Sequence, residues 1–265
     1  MTKRVLLSIA LLAGLLHAAI AQEVTSKGPE LDKSKDYYAV LDTSFGKIVV
    51  SFFEDEAPET VRNFVNLAEG TKAFKDPAKR ETKGYYDGTV FHRVINDFML
   101  QGGDPTATGS GSPGFNIKGE VAPSLKFSNK DCLMAMANAG HPDTAGAQFF
   151  ITDVGAKPGW LDGGYAIFGE VVEGRDVVKT ICEVPVKAQP RGREVSRPIE
   201  DVALKTVTII RVPKGSDEWK KALEAPAAAA TEEVPAPEAA ESEAPAKAEP
   251  ASQPAVKPES APAKP

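Results

Sequence analysis

The chain has 265 residues, of which 42% are hydrophobic and 26% are charged, and its formal net charge is −6 at pH 7. This composition is that of a globular protein with one or two domains. The acidic balance and the lack of a basic stripe argue against nucleic-acid binding, which requires clustered Lys and Arg side chains.

The amino-terminal segment is typical of an export signal. Lys3 and Arg4 precede an apolar run over residues 5–16, which leads to a small-x-small cleavage pattern before Gln22. The run is too short to span a bilayer comfortably. We therefore expect residues 1–21 to be a cleaved signal peptide of an exported bacterial protein, with a periplasmic location and no stable membrane insertion. An uncleaved anchor is the less favoured alternative.

Regular structure is predicted to begin after a polar, flexible lead-in over residues 22–36. Alternating apolar residues over 38–53, with a turn at Gly46, predict a β-hairpin. Residues 58–69 have apolar side chains at helical spacing, begin with Pro and are followed by Gly70, so they predict an amphipathic helix. We expect three polar side chains of this helix to face solvent: Arg62, Asn63 and Asn66.

Residues 91–104, Phe-His-Arg-Val-Ile-Asn-Asp-Phe-Met-Leu-Gln-Gly-Gly-Asp, are the most informative stretch. β-Branched and aromatic residues flank the turn-prone pair at 96–97, which predicts two short strands around a tight corner. Met99 and Gln101 share a strand face, and Arg93 joins them if the corner preserves that face. The result is a cation beside an apolar patch. The alternative is a barrel strand whose Arg93 forms a salt bridge at the rim.

Two later stretches have a similar character. Small residues around Asn138 leave room for a ligand backbone, and Gln148 and Phe150 share a strand face. The alternative for Gln148 is a buried amide bonded to backbone in a core strand. Trp160 lies in a loop that enters a predicted strand over residues 166–172.

The remaining segments complete a β-rich pattern. Residues 105–119 predict a surface loop, whose glycines do not fit a phosphate loop because no Lys-Ser/Thr pair follows. Residues 177–182 predict a short helix, 185–198 a polar loop and 202–212 a closing strand. Many short strands with only two helices indicate a closed antiparallel barrel.

The few thiols and imidazoles give little support for metal or nucleophilic chemistry. Cys132 and Cys182 either pair, as an oxidising compartment allows, or stay as two buried thiols, since their spacing fits no redox or zinc motif. His92 lies between apolar neighbours, and we interpret it as a hydrogen-bonded structural histidine. His141 is expected to be solvated. We predict no metal site and no catalytic triad.

Five motifs, in this order and spacing, resemble the cyclophilin peptidyl-prolyl isomerases. They are Phe-His-Arg-Val-Ile at 91–95, Phe-Met-Leu-Gln-Gly-Gly-Asp at 98–104, Met-Ala-Asn-Ala-Gly at 136–140, Gln-Phe-Phe-Ile at 148–151 and Trp-Leu-Asp-Gly at 160–163. The resemblance implies a cyclophilin-type domain over residues 37–213. Its expected fold is mainly β, a closed eight-stranded antiparallel barrel capped by two helices, with the active groove on the outer face. It implies peptidyl-prolyl cis-trans isomerase activity without a cofactor, on proline-containing peptides and unfolded exported proteins.

The resemblance also implies roles for individual residues. Arg93 would be the catalytic group, and Gln101 would bond the substrate backbone. Four side chains would hold the proline ring: Phe98, Met99, Phe150 and Leu161. Asn138 would bind the residue before the proline through its backbone, with three flanking residues: Ala137, Ala139 and Gln148. Trp160 corresponds to the groove-edge tryptophan that favours cyclosporin binding, and Tyr165 replaces a His of many eukaryotic members.

The chemistry of the X-Pro bond agrees with these roles. Rotation about a peptide bond faces a barrier of roughly 18 to 20 kcal/mol, while the cis and trans forms of X-Pro differ by only about 0.5 to 1 kcal/mol. A guanidinium is always charged, so Arg93 can donate to the prolyl nitrogen more strongly in the twisted state than in either planar state. The alternative function is a proline-peptide binding module or holdase without significant turnover.

Residues 214–265 are rich in Ala, Pro and Glu and predict a disordered tail, because they contain too little apolar surface to offset the entropy of ordering. At its start, residues 216–223 could form a short helix capped by Ser216, with Trp219 docked on the barrel. A solubilising role is favoured over contact with envelope partners. We expect a monomer.

Overall fold

The computed structural model describes residues 28–190 and 193–224. The predicted signal peptide and residues 225–265 of the predicted tail lie outside the described residues. Within the described ranges, no helix has the length and apolar character needed to cross a membrane.

The described chain is built mainly of β-strands. The strands are β1 Lys35–Thr43, β2 Gly46–Phe52, β3 Thr89–Val90, β4 Arg93–Ile95, β5 Met99–Gly102, β6 Leu133–Met136, β7 Phe149–Thr152, β8 Ile167–Glu173, β9 Val186–Ala188, β10 Val195–Pro198 and β11 Ala203–Pro213. The helices are α1 Pro58–Glu69, α2 Arg175–Cys182 and α3 Trp219–Glu224. The predicted hairpin, both capping helices and the closing strand are therefore confirmed.

Nine strands form one antiparallel sheet in the order β3-β11-β1-β2-β8-β6-β7-β5-β4, which curls into a half-barrel. The mainly β prediction is confirmed, whereas neither the closure of the barrel nor the count of eight strands is confirmed. On either side of His92 the chain forms two short strands: β3, which pairs with β11, and β4, which pairs with β5. One isolated bridge, between Val90 and Asp104, links β3 to the residues that follow β5.

The prediction of a polar loop over residues 185–198 is wrong in part. β9 and β10 pair there as a separate two-stranded antiparallel sheet. Strands of three and four residues leave too short an apolar alternation to be recognised in a charged, Pro-containing segment.

Helix α1 ends as the sequence predicts and begins with an unexpected partner. Gly70 terminates it at φ 69°, a left-handed conformation that favours glycine. At the other end, the carboxylate of Glu120 accepts hydrogen bonds from the backbone N–H groups of Glu59 and Thr60 at 3.1 and 2.7 Å. This satisfies donors that every helix start leaves unpaired.

The expectation that Asn63 and Asn66 face solvent is wrong, because each is only 2% exposed. Asn63 donates to the carbonyl of Gly146 and accepts a bond from Lys72 Nζ, at 2.9 and 2.8 Å. Asn66 donates to the carbonyl of Pro29 at 2.9 Å. Loop and lead-in segments cover this face of α1, so polar periodicity alone misassigned it to solvent.

The ordered domain extends beyond residues 37–213 at both ends. β1 begins at Lys35, and Pro29 contacts α1, so part of the predicted flexible lead-in is packed. At the other end, Trp219 is 7% exposed and stacks on Tyr38 with ring centroids 5.1 Å apart. The predicted docking of Trp219 is thus confirmed, but the helix begins at Trp219 and not directly after Ser216, so the predicted cap is not confirmed. Residues 214–224 belong with the barrel.

The main core lies between the curled sheet and helices α1 and α2. Val94, Leu100, Ile151 and Met134 face one another across β4, β5, β7 and β6 and are fully buried in this core. Residues next to them in sequence must point to the other face of the sheet. The inner row therefore fixes which side chains line the outer surface.

Both thiols lie in the interior. Cys132 and Cys182 are buried and unpaired, so of the two alternatives the structure shows separate thiols. Burial raises the pKa of Cys132 to about 12 and also raises that of Cys182, which keeps both protonated and unreactive.

Candidate active site

One row of side chains crosses the outer face of the half-barrel. Arg93 on β4 pairs with Gln101 on β5, Gln101 pairs with Phe150 on β7, and Phe150 pairs with Ala135 on β6. Directly opposed residues of antiparallel strands point to the same side. Met99, two residues from Gln101, joins this face. The prediction that Arg93, Met99 and Gln101 share a face is confirmed.

The corner between β4 and β5 preserves the face through a three-residue turn. Ile95 pairs with Met99, and the backbone N–H of Phe98 donates to the carbonyl of Ile95 at 3.1 Å. Asp97 adopts φ 57°, a left-handed conformation that Asp tolerates better than most residues. Its N–H donates to the buried carboxylate of Asp153 at 2.9 Å, which fixes the turn on the barrel.

A second apolar cluster lies on the outer face, separate from the main core. Its buried members are Met99, Phe127, Leu133, Ala135, Phe150 and Ile167, and its partly buried members include Phe98, Ala137, Leu161 and Tyr165. Phe150 contacts the Tyr165 ring edge-on and stacks on the Phe127 ring, with centroids 5.4 and 5.7 Å apart. All four side chains expected to hold a proline ring therefore lie in one cluster. Phe127 is a further member that the sequence analysis did not single out.

Trp160 lies at the edge of this apolar cluster. Its ring is tilted against that of Phe98 with centroids 5.7 Å apart, and the residue is 76% exposed. An indole exposed to this extent beside an apolar cluster offers a surface that a bound ligand could cover.

Polar side chains form a connected chain beside the apolar cluster. Arg93 Nη1 lies 3.5 Å from Gln101 Oε1 and 3.8 Å from Met99 Sδ. Gln101 Nε2 donates to Gln148 Oε1 at 3.1 Å, and Gln148 donates to the carbonyls of Gly109 and Gly111, both at 3.0 Å. Gln148 thus bonds to backbone as the alternative expected, but it is only partly buried and precedes β7, so it is not a core-strand residue.

Asn138 and its neighbours are held by bonds within the protein. The Asn138 amide donates to the carbonyl of Gly164 at 2.8 Å, and its oxygen accepts from Gly140 N–H at 3.0 Å. Ala137 N–H donates to the Gln148 carbonyl at 2.9 Å, and Ala139 N–H donates to Thr144 Oγ1 at 2.8 Å. The Asn138 side chain therefore bonds within its own loop and to the loop at Gly164.

Glu194 is a member of the site that the sequence analysis missed. Its two carboxylate oxygens accept bonds from Arg93 Nε and Nη2 at 2.7 and 2.8 Å. Bonding to Arg93 lowers the pKa of Glu194 to about 2. Arg93 and Glu194 are 101 residues apart in the sequence, and Glu194 lies in a segment predicted to be a polar loop. No local sequence pattern therefore connects them. The salt-bridge alternative for Arg93 is thus also present, and it coexists with the contact to Met99 and Gln101.

Comparison with known proteins agrees with this geometry. The family model described as cyclophilin type peptidyl-prolyl cis-trans isomerase/CLD matches residues 38–211. The chain belongs to this family.

Similar proteins come from several organisms. Peptidyl-prolyl cis-trans isomerase B of Streptomyces anulatus is 44% identical over 66% of this chain and 98% of its own length. Peptidyl-prolyl cis-trans isomerase A of Mycobacterium tuberculosis is 44% identical over 64% of this chain and 91% of its own. The crystal structure of a Cryptosporidium parvum cyclophilin matches with a TM-score of 0.56 and 30% identity, covering 67% of this chain and 99% of the other. These similarities support isomerase activity for this cyclophilin.

His92 of this cyclophilin lies directly before Arg93 but takes no polar role. It is 3% exposed, and within the described residues neither ring nitrogen has a hydrogen-bond partner. The prediction of a hydrogen-bonded histidine is therefore wrong: charged side chains such as Asp104 and Arg197 lie near enough to influence the ring, but none of them bonds to either nitrogen. Burial lowers the pKa of His92 to about 4, so the ring is neutral near pH 7. The predicted solvation of His141 is confirmed by its 67% exposed side chain.

Proposed function

We propose that Arg93 is the group through which this cyclophilin accelerates rotation about X-Pro bonds. The observation that carries the proposal is that Arg93 Nη1 lies beside Met99 Sδ and Gln101 Oε1, at the margin of the outer apolar cluster. A proline ring seated on this cluster would have its imide nitrogen next to a charged N–H donor.

The proposed mechanism is differential hydrogen bonding. A planar imide nitrogen is a poor acceptor because its lone pair is delocalised, whereas the twisted nitrogen is pyramidal and regains the lone pair. Arg93 therefore binds the twisted state more strongly than either planar state, which lowers the barrier. The apolar cluster excludes water and so strengthens this bond. Gln101 and the backbone at Asn138 would hold the substrate chain on either side of the proline.

The expected ligands follow from the same site. One Cryptosporidium parvum cyclophilin structure, 29% identical with a TM-score of 0.55 and covering 65% of this chain and 98% of its own, was determined in the presence of the dipeptide Ala-Pro. This supports proline-containing peptides as ligands of the present chain. Cyclosporin is a further proposed ligand, motivated by the exposed Trp160 at the edge of the cluster.

The cellular role that we propose is folding of exported proteins in the periplasm by a monomeric enzyme. It rests on the signal-like pattern of residues 1–21, which lie outside the described structure. Slow X-Pro isomerisation limits the folding of many chains, so a catalyst in that compartment would act on unfolded exported proteins.

The test compares Arg93→Ala and Arg93→Lys with Arg175→Ala, which removes the same charge from an ion pair with Asp131 outside the site. In a protease-coupled assay on a proline-containing tetrapeptide, we expect Arg93→Ala to lower the rate at least tenfold. Peptide affinity should remain measurable, and Arg175→Ala should match the wild type. Equal isomerisation rates for Arg93→Ala and wild type would refute the mechanism. A wild-type protein that binds peptide without turnover would instead support the binding-module alternative.

A further inference from the structure

The guanidinium of Arg93 divides its donors between two partners. Nε and Nη2 form one edge of the fork and donate to the two oxygens of Glu194 at 2.7 and 2.8 Å. Nη1 points the other way, to Gln101 Oε1 and Met99 Sδ. The carboxylate thus occupies the outer edge of the group and does not engage Nη1, the nitrogen that borders the apolar cluster.

We infer that Glu194 is a positioning residue for the isomerisation: it holds the outer edge of the Arg93 guanidinium so that Nη1 faces the bound proline. This inference rests on the proposed role of Arg93. It assigns Glu194 a function through Arg93 and no contact with the substrate.

Glu194 is itself held in place by the β9–β10 segment. Ser196, which is fully buried, donates from Oγ to Glu194 Oε1 at 2.6 Å. Gln189 Nε2 donates to Ser196 Oγ and to the carbonyl of His92, at 2.9 and 3.0 Å. The backbone N–H of Gln189 also donates to the Glu194 carbonyl at 2.9 Å. This network ties the carboxylate to the residue directly before Arg93, so the same set of hydrogen bonds connects both members of the pair.

The charge of Glu194 is constant over the working range of pH. Its pKa is lowered to about 2 because Arg93 donates to it, with Ser196 contributing a further bond. The carboxylate is therefore ionised at any pH at which the protein would act. The pair holds Arg93 continuously and cannot act as a pH switch near neutrality.

The expected loss of kcat in Glu194 variants depends on how far the Arg93–Glu194 pair is exposed to solvent. The side chains of Arg93 and Glu194 are 30% and 45% exposed, so solvent weakens the pair, although two parallel bonds give it more directional strength than a single contact. An unpaired Arg93 would sample several rotamers and present Nη1 only part of the time. We expect Glu194→Gln and Glu194→Ala to lower kcat by about three- to tenfold with little change in peptide Kd.

A rise in kcat on removal of the Glu194 carboxylate would indicate a different role for this residue. A carboxylate also reduces the positive potential of the guanidinium, so its removal would strengthen the donor if orientation were unimportant. A rise in kcat for Glu194→Gln would therefore overturn the positioning role. A matched control is Glu200→Gln, which removes the same charge from an exposed residue a short distance along the chain.

A double-mutant measurement tests whether Glu194 acts through Arg93. Glu194→Gln should lower kcat in the wild-type background and have little further effect in an Arg93→Lys background, because lysine has no planar fork with which to donate two parallel bonds to Glu194. Equal effects in both backgrounds would overturn the inference. The Nε–H resonance of Arg93 should be protected from exchange in wild type and exposed in Glu194→Gln. Protection that persists in the variant would contradict the pairing.

Two further variants separate a folding defect from loss of positioning. Ser196→Ala keeps both charges and should give a smaller loss of kcat in the same direction, and Glu194→Asp should restore part of the activity lost in Glu194→Ala. Lower thermal stability with unchanged kcat would overturn the inference. If Arg93→Ala is inactive while Glu194→Gln matches wild type, only the role of Glu194 fails. If Arg93→Ala is fully active, the proposed role of Arg93 is itself wrong, and the role of Glu194 fails with it.

Discussion

Replacing Phe150 with alanine should remove the base of the outer apolar cluster. Phe150 is 5% exposed and contacts the rings of Phe127 and Tyr165. Truncating a buried Phe costs about 3 to 5 kcal/mol, and we expect the lower end because water can enter from the outer face. A loss of about 3 kcal/mol corresponds to a melting temperature lower by roughly 6 to 12 °C for a domain of this size.

The same substitution should weaken peptide binding. Losing apolar contact with the proline ring should raise the Kd of a proline-containing peptide by about tenfold or more. Calorimetric titration measures the Kd, and thermal melting measures the stability. The matched control is Phe149→Leu, since Phe149 is adjacent in sequence but fully buried in the main core.

Phe149→Leu should lower stability by about 1 kcal/mol and leave peptide affinity unchanged. The contrast between neighbouring residues tests the assignment of the two sheet faces. The reasoning would be refuted if Phe150→Ala bound peptide as tightly as wild type, or if both variants lost affinity equally.

Further predictions concern Trp160 and His92. Trp160 is 76% exposed and Trp219 is 7% exposed, so a bound proline peptide or cyclosporin should change the fluorescence of Trp160 alone. Trp219→Phe should keep the response and Trp160→Phe should abolish it; a response that survives Trp160→Phe would contradict the proposed groove. For His92, the unfolded state takes up a proton below about pH 6.5 while the buried ring, with its pKa lowered to about 4, does not. Stability should therefore fall by about 3 kcal/mol as the pH drops from 6.5 to 4, and denaturant unfolding of His92→Leu should show a flatter profile. Parallel profiles for the two proteins would count against this assignment.

Local patterns in the sequence were sufficient to predict the elements that build the site. The spacing in α1, the turn at residues 96–97 and the period-two alternation of Met99 and Gln101 each have a short-range physical cause. The structure confirms all three. Because β4 and β5 are joined by a three-residue turn, the register that places Arg93 opposite Gln101 is a local property as well.

Features that depend on distant segments could not be predicted in the same way. Glu194 meets Arg93, and Glu120 caps α1, only because the fold brings separate loops together. Asn63 looks like a solvent-facing residue until Gly146 and Lys72 are seen to cover it. Periodicity reveals which face of an element is polar, but it does not reveal what packs against that face.

The central claim is that Arg93 stabilises the twisted imide, and it is tested most directly on the bound substrate. Exchange NMR on a saturated complex measures the rate at which a bound X-Pro peptide interconverts between cis and trans, independently of affinity. We expect Arg93→Ala to lower this bound-state rate at least tenfold while the populations of the two isomers stay close to wild type. A bound-state rate equal to that of wild type would contradict the account.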